Sequence, residues 1–183
     1  MMWLYITIAI VVVILLFVLS TYNGFVTLNN KVEEAFATMD VYLKKRWDLI
    51  PNIVETVKGY AKHEKDTLKE VINLRNGAYD KMSNEEKVEA NQKISQGISK
   101  IMALAEAYPD LKANENFNDL SNELSKIEED IANSRKYYNA TVRQFNTKAQ
   151  MFPTNIVANM FNFKSKKMFE ATENERENVK VEF

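Results

Sequence analysis

The first twenty residues, MMWLYITIAIVVVILLFVLS, carry no charged side chain. A run of about 20 apolar residues at ~1.5 Å rise each is the length a single helix needs to cross a bilayer. Trp3 and Tyr5 lie near one end of the run and Tyr22 just past the other. Aromatic rings at those positions favour the headgroup layers. A cleaved signal peptide would want a basic leading segment, a shorter apolar core and small residues at the cut. No Lys or Arg precedes the run and no Ala-x-Ala pattern follows it. The expectation is an uncleaved transmembrane anchor over residues 1–22, with the lipid bilayer as the first partner.

The first basic residue beyond the run is Lys31, and Lys44, Lys45 and Arg46 come later. The N-terminal side offers only its α-amino group. The positive-inside rule then predicts a single-pass cell-membrane protein with its N-terminus outside and the rest of the chain cytoplasmic.

About 160 residues follow the anchor, enough for one domain with its own core. The 24 basic and 25 acidic residues give a net charge of -1. That balance argues against nucleic acid as a partner, which calls for a markedly basic chain. The absence of Cys rules out disulfides, thiolate nucleophiles and Cys-based metal sites. With only 4 Gly and 3 Pro, the chain has few helix breakers, so long helices are expected.

From Phe25 the apolar residues fall on a heptad seam: Phe25, Leu28, Val32, Ala35, Met39, Tyr42 and Leu49, with Arg46 at the one position that breaks it. Alternating steps of three and four put these side chains on one helix face. Proline removes a helix donor and clashes with the preceding turn, so Pro51 either kinks this helix or starts a new one. The seam continues nearly in phase through Ile53, Val57, Tyr60, Leu68 and Val71, which favours a kinked, continuous helix ending near Asn76-Gly77.

Ser83 and Glu86 fit a capping box at the next helix start. Val88, Ile94, Ile98, Ile101, Met102 and Ala105 mark its apolar face, and Pro109 ends it. The last long helix starts near Phe117 with the stripe Leu120, Leu124, Ile127, Ile131, Tyr138, Val142, Phe145 and Phe152, and Pro153 stops or bends it. Residues 155–163 add a short amphipathic turn or two. Residues 164–183 have scattered charges and little periodicity, the pattern of a flexible or loosely docked tail. No helix can bury its stripe alone. The expected fold is all-α: an antiparallel bundle of three to four long helices over residues 23–163, the first kinked near Pro51, on an N-terminal transmembrane helix.

The chain offers little for catalysis. His63 is its one histidine, and Thr67 stands where H-E-x-x-H would need a second. A zinc peptidase site and the common nucleophile–base dyads therefore lack parts. The four isolated glycines form no phosphate loop. A di-metal carboxylate centre needs Glu-x-x-His on two helices, which one His cannot supply. Glu128, Glu129 and Asp130 read as a solvated face. No catalytic residue, cofactor or metal is expected.

Two polar groups are candidates for interaction. Lys44, Lys45 and Arg46 form a basic cluster that would suit anionic headgroups or an acidic partner. On a straight helix it lies roughly 35 Å beyond the span, too far for lipid, which favours a solvated face with ion pairs. Arg135, Asn139 and Asn146, spaced four and then seven apart, share one face of the last helix with Val142. They either hydrogen-bond across an interface and fix its register, or face water.

The stretch MDVYLKKRWDLIPNIVETVKGYAKHE, Met39 to Glu64, closely resembles the signature of the LemA family. A second block from Leu111 to Pro153 resembles that family's later pattern through Glu115-Asn116-Phe117, Leu120, Leu124, Arg135, Tyr138-Asn139, Val142, Asn146 and Phe152-Pro153. Tyr42, Trp47 and Phe145 depart from it, all by aromatic side chains that should alter packing more than fold. The resemblance implies a bacterial single-pass membrane protein with a short outside N-terminus and a helical bundle. It implies no established activity and no catalytic residues. Genes of this kind often neighbour membrane metallopeptidase genes, which suggests such a partner by association only.

The leading expectation is a membrane-anchored scaffold or adaptor without catalytic activity, acting through protein–protein contacts with another membrane protein or as a homo-oligomer. One alternative is a self-assembling membrane organiser, as a ring, cage or coat. Another is a ligand sensor.

Overall fold

Helices account for the ordered structure in a computed structural model of the chain, in which residues 1–75 and 77–169 are described. The elements are α1 (Met2–Tyr60), α2 (Lys65–Asn73), a 3-10 turn (Tyr79–Lys81), α3 (Asn84–Ala107), α4 (Pro109–Lys112), α5 (Glu115–Gln150) and α6 (Thr154–Met160). No strand occurs among the described residues. The all-α expectation holds, with more and shorter elements between the long helices than the periodicity suggests.

α1 is continuous across Pro51, as the phase of the seam predicted. Ile50, Ile53 and Val54 are buried on either side of the proline. Burial of that stripe outweighs the lost hydrogen bond and keeps the chain helical. The helix does not run on to residue 76. It ends at Tyr60, the amide of Glu64 bonds back to the carbonyl of Ala61 at 3.2 Å, and α2 begins at Lys65. The turn falls where the stripe has a gap, because Glu64 occupies the seam position between Tyr60 and Leu68. Beyond the turn, Leu68 and Val71 are buried on α2, and α2 packs on α3. Gly97 permits that approach, since a Cβ there would lie 2.9 Å from a methyl of Leu74 and 3.3 Å from one of Val71.

The helix ends follow the sequence closely. Ser83 caps α3 by accepting from the Glu86 amide at 3.2 Å, and the Ser83 amide donates to the Glu86 carboxylate at 2.7 Å. The backbone N–H bond and the serine hydroxyl hold the Glu86 pKa below the ordinary carboxylate value. Asn114 accepts from the Phe117 amide at 2.9 Å and satisfies one of the open donors at the start of α5.

Two compact units divide the chain. One comprises residues 1–38 with 134–170, described to Phe169. Here α5 runs antiparallel to α1: the Tyr138 ring meets Phe36 at 5.9 Å, and further along Phe145 meets Phe25 at 5.8 Å. Phe25, Val32, Val142, Phe145 and Ala158 form its core, with Leu28, Tyr138, Ala149 and Phe163 packed around them. Phe25 is fully buried, which contributes ~2 kcal/mol from apolar area alone. The apolar N-terminal part of α1 has exposed side chains apart from the half-buried Val18, and is long and apolar enough to be a candidate membrane span.

The second unit comprises residues 39–133, together with 171–183, which lie outside the described residues. Its core draws Leu43, Ile50, Ile53 and Val57 from α1, Ile94 and Ile101 from α3, Leu111 from α4, and Leu124 and Ile127 from α5. Trp47 and Tyr79 rings meet at 5.2 Å. The Tyr79 hydroxyl donates to Asp40 at 2.8 Å, which fastens the 3-10 turn to α1. Burial first, and the adjacent Asp40 carboxylate second, push the Tyr79 hydroxyl well above its ordinary pKa, so it stays a donor.

Of the tail expected to be flexible, residues 164–169 adopt no helix, and two asparagines of α5 bind their backbone.

Candidate interaction face on the last long helix

Asn139 and Asn146 lie seven residues apart on α5, two helical turns along one face. Asn146 donates through Nδ2 to the Lys166 carbonyl at 2.8 Å, and its Oδ1 accepts from the Lys166 amide at 2.8 Å. Asn139 repeats the pattern with Phe169, again at 2.8 Å for each bond. A carboxamide carries both a donor and an acceptor, so each asparagine satisfies one whole backbone residue as a neighbouring β-strand would.

The spacing makes the two pairs compatible. Seven helical residues advance about 10.5 Å, and three residues of a threefold extended chain advance about 9 Å and return the backbone to the same side. The segment runs antiparallel to α5, with Lys166 at the Asn146 end and Phe169 at the Asn139 end. Side chains add a second layer. The Arg135 guanidinium lies 5.5 Å from the centroid of the Phe169 ring, and Tyr138 meets that ring edge-on at 5.7 Å. The Lys166 ammonium lies 5.4 Å from the Phe145 centroid. Tyr138 also donates to the Lys167 carbonyl at 3.2 Å. The face therefore reads backbone through two amides, and accepts an aromatic side chain at one end and a cation at the other.

The three residues singled out on this helix are thus brought together, and the sequence alternatives of a helix interface and open water are replaced by a third arrangement. The partner is the chain's own non-helical segment, residues 166–169. Nothing in the periodicity of residues 164–169 pointed to it. The spacing of two carboxamides at heptad distance was the available signal.

The basic cluster is not one surface. Arg46 is fully buried, at the seam position it seemed to interrupt. Nε and Nη2 donate to the Asn91 Oδ1 at 3.2 and 3.0 Å, and Nη2 also to the Asn91 carbonyl at 2.8 Å. Nη1 donates to the Ser95 hydroxyl at 3.0 Å and to Glu128 at 2.7 Å. These contacts match the five N–H donors of a guanidinium and join α1, α3 and α5. Glu128 is correspondingly not part of a purely solvated face. Its carboxylate turns inward to Arg46 while 41% of its side chain stays exposed. Lys44 pairs with Asp48 at 2.8 Å, and Lys45 lies over the Tyr42 ring at 5.5 Å. Both remain surface cations.

Trp3 and Tyr5 are exposed on the apolar part of α1. Tyr22 is also exposed at 37%, and its ring meets Phe161 at 4.8 Å and Phe163 at 5.7 Å. His63 is exposed in the turn between α1 and α2. Among the described residues no group of His, Cys, Asp and Glu could hold a metal ion.

These features define a class: all-α proteins with a long first helix that begins as a candidate membrane span. The chain belongs to the LemA family, whose model matches residues 35–183. It is also similar to Protein LemA of Metamycoplasma hominis, with 29% identity over 154 residues, covering 82% of this chain and 69% of that protein.

Proposed function

We propose that this protein is a membrane-anchored, non-catalytic adaptor whose α5 face holds an extended segment of polypeptide. The observation that carries the reading is the pair of two-point hydrogen bonds from Asn139 and Asn146 to backbone residues three apart. A face that recognises backbone through side-chain amides accepts many sequences, as strand addition does at a sheet edge. Arg135 and Tyr138 favour an aromatic residue three positions after a cation, the order present in Lys166 and Phe169. The chain's own segment fills the face at rest, and a partner segment of the same pattern replaces it.

The anchor in this reading is the apolar start of α1, with the N-terminus outside and the bundle cytoplasmic. Charge supports that side. From residue 131 to 169 the sequence has seven basic residues and no acidic one. Such a surface suits the anionic cytoplasmic leaflet.

A second reading uses the same contacts between copies. If segment 164–169 occupies the α5 face of a neighbouring copy, the same contacts build a homo-oligomer at the membrane.

A photoreactive phenylalanine analogue at Tyr138, activated in intact membranes, tests both. The adaptor reading expects an adduct to a different protein, lost when Asn139 and Asn146 are both replaced by Leu. An adduct at twice the chain mass moves the weight to self-assembly. Adducts confined within one chain contradict both.

A further inference from the structure

The turn after α5, the outer face of α6 and Phe161 beyond it expose more apolar surface than a water-facing corner needs. Met151 is 58% exposed, Phe152 79%, Ile156 58%, Met160 59% and Phe161 44%. On α6, Val157 and Ala158 are buried while Ile156 and Met160, four apart, share the outer face. An apolar patch of this kind on an otherwise polar domain marks a contact surface.

Its position identifies the contact. The Phe161 ring packs on Tyr22 at 4.8 Å, two residues past the end of the apolar run over residues 1–20. α5 descends antiparallel to α1, so its last turn arrives at the same level. Lys148, in that turn, lies 5.1 Å from the Phe25 centroid. A Cβ on Gly24 would collide with its ammonium, so the absence of a side chain there leaves the cation room beside the span. Lys164, Lys166 and Lys167 follow α6, and no acidic residue lies between 131 and 169.

We propose that the α5–α6 corner is a second membrane contact, with Phe152, Ile156, Met160 and Phe161 seated in the interfacial layer of the bilayer and the flanking lysines on anionic headgroups. Continuity with the span singles out lipid among possible occupants. Anything covering this corner shares the level at which α1 leaves the hydrocarbon. The composition is that of an interfacial amphipathic segment, which buries its apolar face ~5–10 Å into the headgroup and acyl boundary. The corner would then fix the bundle's rotation about α1, which a single helix crossing leaves free. This inference rests on the anchoring reading of α1.

The chain has no cysteine, so single-cysteine spin labels report depth without background. Labels at Ile156→Cys and Met160→Cys are compared with Val12→Cys in the apolar run and with the exposed Lys93→Cys, in full-length protein reconstituted in phosphatidylglycerol-containing liposomes. Power saturation reads access to oxygen against a water-soluble nickel chelate. The expected result is an oxygen-to-nickel ratio at 156 and 160 several-fold above that at 93, falling when zwitterionic lipid alone is used. A ratio at 156 and 160 equal to that at 93, with Val12→Cys deep, overturns the proposal and leaves the anchor intact. Water-like ratios at 12 as well overturn both. Exclusion of both reagents at 156 means protein covers the corner, and overturns the lipid assignment. A ratio unchanged in zwitterionic lipid removes the headgroup contact.

Discussion

Asn146 and Lys166 pair at two points: the side-chain amide of one and the backbone of the other exchange two hydrogen bonds of 2.8 Å. The relationship is repeated by Asn139 and Phe169. A single pair could be incidental to packing. Two pairs whose spacing matches hold residues 166 and 169 on α5 at two points.

Removing the amides should release the segment without harming the bundle. Both asparagines are partly exposed, so a leucine is tolerated there and each loss costs ~1 kcal/mol of docking. In the Asn139→Leu, Asn146→Leu variant, limited trypsin digestion should cut after Lys164, Lys166 and Lys167 faster than in the parent. Equal cutting rates would show that the segment is held by other contacts.

Arg46 is expected to be structural. Arg46→Met removes the Arg46 donors from the buried Asn91 Oδ1, while Asn91 Nδ2 keeps its bond to the Lys87 carbonyl. Glu128 keeps access to water, so the full penalty for a stranded buried charge does not apply. A loss of about 2 kcal/mol is predicted by denaturant unfolding. Arg46→Lys should recover little of it, because three ammonium donors cannot replace a five-donor fork. Recovery to the parent's stability would contradict the network described.

Gly59 is helical in α1 and has nothing within 4 Å of an added Cβ. Gly59→Ala should therefore stabilise by ~0.4–1 kcal/mol, chiefly by restricting the unfolded chain. Loss of stability on this change would mean that the glycine serves the turn at residues 61–64.

The capping box should make α3 acid-sensitive. The folded Glu86 pKa is lowered by its bond from the Ser83 amide, so its contribution is fully present above the ordinary carboxylate value of 4.5. It is lost as the pH falls below that value and through the lower folded one. Glu86→Gln, which removes the titrating carboxylate from the cap, should destabilise the protein at neutral pH, and the difference from the parent should shrink under acid. Parallel unfolding curves across that range would contradict the assignment.

The helices were legible because their signals are local. The Ser83–Glu86 cap, Pro109, Pro153 and the heptad seam each act within a few residues of where they are read. Arg46 shows where local reading misleads. Its seam position was visible, but its partners Asn91, Ser95 and Glu128 lie 45 to 82 residues away in sequence. Only packing of three helices turns a break in the seam into a buried polar node. The face on α5 was half legible for the same reason. The heptad spacing of Asn139 and Asn146 was on the page, while the extended segment they bind has no periodicity to announce it. The turn at 61–64 was hidden because the apolar steps on either side stay nearly in phase.

The most direct test of the adaptor reading is the mass of full-length protein extracted in mild detergent, by size exclusion with light scattering and identification of co-eluting chains. The account predicts a stoichiometric membrane-protein partner that is lost from the Asn139→Leu, Asn146→Leu variant. A strictly monomeric, partnerless species would contradict it.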